Sequence, residues 1–145
     1  MPTVRASRTL HATPEAIWRV VGDPSHLTRW WPRARRVEAA TEEAWTVAFR
    51  TQKGKTIRVD FELLDSQEPN RRSWYQRLEN SPFENLLSES VTEVIVETAG
   101  DGSTVTLVSR QKMRGLSKLG GPVVRKASRK LLGEALDGLE RTCGS

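Results

Sequence analysis

Residues 86–113 read LLSESVTEVIVETAGDGSTVTLVSRQKM, two alternating runs on either side of Gly100-Asp101-Gly102. Val94 and Val96 alternate with Glu93 and Glu97 before the glycines. Val105 and Leu107 alternate with Thr104 and Thr106 after them. A period of two marks half-buried strands, and the short Gly/Asp loop between them marks a β-hairpin. A two-residue Asp101-Gly102 turn pairs Gly100 with Ser103. It predicts Glu97 across from Thr106, Glu93 across from Arg110 and Glu89 across from Arg114 on the outer face. The inner face then pairs Thr98 with Val105, Val96 with Leu107, Val94 with Ser109, Thr92 with Gln111 and Ser90 with Met113. Turn chemistry, apolar match and charge match agree on this register.

The same alternation continues upstream. Trp45, Val47 and Phe49 alternate with Thr46, Ala48 and Arg50, and Ile57, Val59, Phe61 and Leu63 with Arg58, Asp60 and Glu62. A two-residue Lys53-Gly54 turn would put the two apolar sets on opposite faces. A three-residue loop, Gln52-Lys53-Gly54, pairs Phe49 with Ile57, Val47 with Val59 and Trp45 with Phe61, with Gly54 in the left-handed position. Pro69-Asn70 marks a turn, and Ser73–Leu78 reads as a further strand whose faces stay unassigned. At the start of the chain Val4, Ala6 and Leu10 share one face of a first strand with Arg8. Thr13-Pro14-Glu15 then opens a short helix with an N-cap, a proline at the first helical position and an acid at the positive end. Gly22-Asp23-Pro24 stops it, and a second short helix is expected near Ser25–Trp30.

Gly120-Gly121-Pro122 begins a long final helix that runs to about Thr142. Val124, Ala127, Ser128, Leu131, Ala135 and Leu139 form its apolar stripe. Arg125, Lys126, Arg129, Lys130, Asp137 and Arg141 lie mostly opposite, as on a helix laid along a sheet. The fold class is therefore α+β: about seven curved antiparallel strands around a long C-terminal helix, with two short helices after the first strand. The length of 145 residues suits one domain, 1–145.

Composition narrows the function classes. No apolar run approaches the roughly 20 residues of a membrane span, and no signal peptide is read at the N-terminus. With Cys143 as the single cysteine, an internal disulfide is excluded, and a cytoplasmic location is expected. Two histidines and one cysteine are too few for a typical structural zinc site, so neither metal nor cofactor is expected. The net charge is +5, and residues 102–133 contain basic but no acidic side chains. Such a run suits nucleic acid or anionic lipid. Pairing with Glu89 and Glu93 explains much of it as a solvated, salt-bridged face, so nucleic-acid binding is not expected.

The opening Ser7-Arg8-Thr9-Leu10-His11-Ala12-Thr13-Pro14-Glu15-Ala16-Ile17-Trp18, followed by Asp23-Pro24 and Trp30-Trp31-Pro32, resembles the helix-grip (SRPBCC, START-like) superfamily. This group includes START lipid-transfer domains, the birch-pollen allergen family and bacterial polyketide cyclase/dehydrase-like proteins. The closing Leu132-Gly133-Glu134-Ala135-Leu136-Asp137-Gly138-Leu139-Glu140 resembles the bacterial branch. The resemblance spans essentially the whole chain and implies a ligand cavity between the concave sheet face and the long helix. Members bind lipids, hormones and polyketides, and a minority are enzymes, so the fold does not settle the function.

Strand parity says what would line that cavity. Val94, Val96, Val105 and Leu107 make one end of the inner face apolar, and Ser90, Thr92, Ser109, Gln111 and Met113 make the other end mixed. Val123, Val124, Ala127 and Ser128 would cover the mixed end. The candidate ligand-binding set is Arg8, Phe61, Ser90, Thr92, Ser109, Gln111, Met113, Val124, Ala127, Ser128 and Leu131. Arg8 is an inward guanidinium that needs a partner: a ligand anion, an internal carboxylate such as Glu15 or Asp23, or backbone carbonyls. Trp30, Trp31, Trp45 and Trp74 suit core or rim packing. No inward position assigned on the strands is a carboxylate or histidine, so catalysis would rest on Arg8, Tyr75 or a helix residue. The reading is a binder or carrier of a small hydrophobic or amphipathic molecule, as monomer or homodimer. The alternatives are a polyketide cyclase or dehydratase-like enzyme, or an interaction protein using its basic C-terminal helix face. The N-terminal half of that helix, after Gly115 and Gly120-Gly121, is expected to act as a lid.

Overall fold

The computed structural model describes residues 3–81, 83–115 and 121–144. Strand β1 (Thr3–Leu10) leads into helix α1 (Pro14–Val21), a 3₁₀ turn (Pro24–His26) and the short helix α2 (Leu27–Trp30). Strands β2 (Ala34–Glu38), β3 (Ala44–Arg50), β4 (Thr56–Gln67), β5 (Arg71–Gln76), β6 (Leu87–Ala99) and β7 (Gly102–Met113) follow, then helix α3 (Gly121–Cys143). The seven strands form one antiparallel sheet in the order β1-β7-β6-β5-β4-β3-β2. The start of α1 is built as read: the Thr13 hydroxyl accepts from the Ala16 N–H at 3.2 Å, and Pro14 opens the first turn.

The β3–β4 hairpin has the predicted register, with Phe49 opposite Ile57, Val47 opposite Val59 and Trp45 opposite Phe61. Gly54 takes φ +81°, which a side chain would resist. The β6–β7 hairpin is shifted by two residues from its expected register. Ala99 pairs with Gly102, so the loop is Gly100-Asp101, with the left-handed φ of 57° on Gly100 as a type II′ turn requires. Gly102 is a glycine for another reason: a Cβ there would come within 2.1 Å of the Leu10 carbonyl oxygen. A shift of two preserves every face. Val94 meets Leu107 and Val96 meets Val105, all fully buried. It changes the charge pairing, because Glu93 lies across from Val108 and Arg110 across from Val91. Glu93 instead reaches Arg110 diagonally at 3.9 Å and Arg71 of β5 at 3.7 Å.

Two strands differ from expectation. An additional strand, β2, pairs with β3 at the sheet edge and carries the exposed Arg35 and Arg36. Such charges protect an open edge from further pairing. The fifth strand begins at Arg71, not Ser73. This assigns its faces: Trp74 lies beside Thr92 and Arg72 beside Val94, so both point inward. Helix α3 is buried through Ser128, Leu132, Ala135, Leu136, Gly138 and Leu139. Ala127 is exposed, and Val123 is 74% exposed. The apolar stripe therefore meets protein from about Ser128 onward, against β1, β7, α1 and α2. Lys118 and Gly120 of the expected lid region lie outside the described residues.

Arg8 points inward as expected, but its partner is on α3. Its guanidinium forms an ion pair with Asp137, and Glu140 lies 3.6 Å away. The expected partners Glu15 and Asp23 are replaced by carboxylates that only helix docking brings near. The deeply buried cation is Arg72, 5% exposed. Its guanidinium stands 5.4 Å from the centroid of the Trp45 ring, while its Nη2 has no hydrogen-bond partner. Burial lowers the Arg72 pKa from its ordinary value, and the charge of Asp23 opposes that shift. Asp23 Oδ1 accepts from the Ser25 hydroxyl at 2.7 Å and the Ser25 N–H at 2.9 Å. The hydroxyl bond is the main cause holding this carboxyl below the ordinary aspartate range, with the charges of His26 and Arg72 adding to it.

Two stability predictions follow from this packing. A Cβ on Gly138 would meet the Trp30 carbonyl oxygen at 2.2 Å, whereas nothing lies within 4 Å of one on Gly133. Gly138→Ala should therefore destabilise by about 1–3 kcal/mol, because backbone must give way. Gly133→Ala should stabilise by about 0.5–1 kcal/mol through helix propensity. Denaturant unfolding midpoints moving in opposite directions would bear this out; midpoints moving together would refute it. The lowered Asp23 pKa makes a contribution that is complete above the ordinary value, about 4, and is lost as pH falls through the folded value. Asp23→Asn should reduce stability at pH 7 and flatten the acid limb below about pH 4. An unchanged acid limb would assign the acid sensitivity to other carboxylates.

Candidate functional site

A cavity of about 260 Å³ lies between the inner sheet face, the α2–β2 connection and α3. Its position follows from the change in side chains along the strands. Where β6 and β7 carry Val94, Val96, Val105 and Leu107, the sheet packs solidly under the helices. Two residues farther from the Gly100-Asp101 loop the inner face becomes Thr92 and Ser109, directly paired, then Ser90 and Gln111, also paired. These short or polar side chains leave space that α3 covers only with Leu131 and Leu132.

The adjoining part of the inner face, on β3, β4 and β5, is aromatic. Trp31, Phe49, Phe61 and Trp74 line the cavity. The ring centroids of Trp31 and Trp74 are 6.3 Å apart, Phe49 and Phe61 are 6.4 Å apart, and both clusters join through Trp45. Each neighbouring pair is edge-on except Trp45 and Phe61, which stack with 20° between planes. Interlocked rings of this kind make a rigid wall. Trp30, Trp45 and Trp74 are core residues, 2–4% exposed, and Trp31 is half-buried.

Beside the rings on the same inner face, with Gln76 paired to Phe61 and Thr92 to Trp74, the side chains of Gln76, Ser90, Thr92, Ser109 and Gln111 form one continuous polar patch over three strands. Among the described residues none of these five side chains makes a hydrogen bond within the chain, which leaves their donors and acceptors available. The charged residues in the lining are Arg33 and Arg50, both exposed at the rim beside Thr51. Among the described residues no Asp, Glu, His or Cys lines the cavity, and no cluster of such groups is arranged for a metal ion.

The cavity wall thus brings together Phe61, Ser90, Thr92, Ser109, Gln111 and Leu131 of the expected set. Five others sit elsewhere. Arg8 is held by α3, and Met113 closes the far end of β7 opposite Leu87. Ser128 is buried in packing, Val124 is half-buried and Ala127 faces outward. Val124 and Ala127 depart because α3 touches the body of the protein later in its length than an unbroken stripe suggested, whereas Ser128 is where that packing begins. The residues not foreseen come from two places. Val47, Phe49, Ile57 and Val59 share the inner face with Phe61, a parity visible in the sequence. Leu27, Trp31, Pro32 and Arg33 reach the cavity only because β2 pairs with β3 and brings the preceding loop over the sheet.

No curated protein matches the chain by sequence. Several solved structures share its fold. The protein XoxI from Bacillus cereus is 15% identical with a TM-score of 0.79, covering 99% of this chain and 96% of its own. A conserved protein from Geobacillus kaustophilus is 14% identical with a TM-score of 0.79, covering 98% and 95%. A START superfamily protein from Mycobacterium smegmatis is 13% identical with a TM-score of 0.77, covering 97% and 96%. Residues 1–144 match the family described as polyketide cyclase / dehydrase and lipid transport. The open seven-stranded sheet, the two short helices after β1 and the long closing helix are the START-like helix-grip fold, and the chain belongs to the polyketide cyclase / dehydrase and lipid transport family.

Proposed function

We propose that this protein binds and carries a small, mainly apolar molecule in the cavity between sheet and α3. The observation that carries the reading is the cavity's division into a rigid aromatic wall and an adjoining patch of unused neutral polar groups. Apolar walls with a few placed donors and acceptors are the usual make-up of a small-molecule pocket. The volume of about 260 Å³ lies just below the roughly 300–1,000 Å³ common for such sites. That size favours a molecule of one to three rings or a single short chain over a two-chain lipid. A flat body can rest on Phe61 and Trp74 while oxygens along its edge meet Thr92, Ser109, Ser90 and Gln111.

The family's description also includes cyclisation and dehydration. General acid–base chemistry needs a titratable group within hydrogen-bond reach of the substrate. Arg8 is engaged by Asp137, and the Tyr75 hydroxyl donates to Glu62 away from the cavity. That hydrogen bond is the main cause raising the Tyr75 pKa, which makes its phenolate less accessible. These observations favour carriage of an unaltered molecule over its conversion.

The neutral fluorophore N-phenyl-1-naphthylamine should bind with a stoichiometry near one per chain and with enhanced emission. Thr92→Phe should fill the space between sheet and helix and weaken binding by about tenfold or more. Equal binding by the variant would place the probe outside the cavity. Recovery of bound polyketide-like molecules with altered mass, absent from a protein-free control, would favour the enzymatic reading.

A further inference from the structure

We infer that the molecule held in the cavity carries an anionic oxygen group, such as a carboxylate, which emerges at the rim between Arg33 and Arg50. This rests on the cavity reading and adds the charge and orientation of the ligand. Arg33 precedes β2 and Arg50 ends β3. The Arg33 carbonyl accepts a hydrogen bond from the Arg50 N–H at 3.0 Å, so the two residues are neighbours across the edge of the sheet. They are the charged groups of a lining that is otherwise neutral among the described residues. Neither forms an ion pair among the described residues.

Three features make the pair unlike an ordinary exposed surface. Their backbones are joined by one hydrogen bond at the mouth, and the Arg50 guanidinium reaches along the β3–β4 loop, its Nη2 3.8 Å from where a Cβ on Gly54 would lie, so positive charge extends along this rim with no acid ion-paired to it among the described residues. The β3–β4 loop beyond Arg50 adds Lys53 and Lys55, with no acid between residues 50 and 59. Glu134 of α3 shares the adjoining groove with Arg33 but is not ion-paired to it. Finally, Arg33 has φ +61°, a conformation unfavourable for a residue with a β-carbon. Such strain persists where surrounding structure enforces it, and it concentrates at ligand sites. Here the enforcing contacts are the Arg50 bond and the start of β2. A guanidinium offers two parallel N–H donors to a carboxylate, which suits an anionic end while the apolar body lies against Phe49 and Phe61.

Calorimetric titration with 2-naphthoate and 2-naphthamide separates this inference from the reading it rests on. The two probes share one ring system and differ in charge. Both should bind, with naphthoate favoured by about tenfold at low salt, as charge-assisted hydrogen bonds predict. The preference should shrink at high salt, because the rim is exposed. Arg50→Gln should reduce it to about twofold while leaving naphthamide affinity unchanged. Arg33→Gly should do the same and also raise the melting temperature, because glycine accepts a positive φ. Binding of naphthamide with no preference for naphthoate, or a preference untouched by both substitutions, would overturn the inference and leave the cavity reading standing. Failure of both probes to bind would overturn both.

Discussion

The docking of the second half of α3 is the constraint on which the rest of the structure depends. Leu132, Ala135, Leu136 and Leu139 are at most 1% exposed, and Gly138 lets the helix backbone lie directly against Trp30. Helix propensity alone would disfavour that glycine. Its presence shows that close approach, and not local preference, sets where the helix sits. Because the contact is anchored at one end, the sheet is covered solidly there. At the other end it is spanned only by Leu131 and Leu132, and the cavity is the space left over.

The sheet is adapted to that asymmetry through what each strand places on its inner face. Under the anchored half the inner positions of β6 and β7 are valine and leucine, which fill space and expose no unmet hydrogen-bonding groups. Under the open half they become serine, threonine and glutamine. These polar side chains are half-buried and, among the described residues, make no hydrogen bond within the chain. Such a run beside an aromatic wall suits a ligand that brings its own donors and acceptors.

Charge is arranged in the same way. The inward cation on β1 is absorbed by Asp137 and Glu140, so it ties the sheet to the helix. Arg72 lies against the Trp45 ring and within the influence of Asp23. Both serve the framework. Among the described residues, Arg33 and Arg50 at the rim form no such ion pair.

Much of this was legible from the sequence, because period and turn chemistry act over short range. Alternation alone assigned Val94, Val96, Val105 and Leu107 to the interior, and the parity of Phe49 with Ile57 required the three-residue loop that Gly54 closes. What parity cannot carry is a shift by two, which preserves every face; the observed β6–β7 register puts Gly100 in the positive-φ position of the turn and Gly102 where a side chain would collide with the Leu10 carbonyl, a proximity between residues far apart in the chain. The stripe on α3 likewise shows which side faces inward but not where along its length the contact begins. The partner of Arg8, the burial of Arg72 and the arrival of Trp31 and Arg33 over the sheet are long-range outcomes of the same kind. Sequence by itself determined every element but β2, the faces of every strand but β2 and β5, and the chemistry available to a cavity. Tertiary structure decided which of those side chains meet, because that depends on where one helix can approach one sheet closely enough to exclude water.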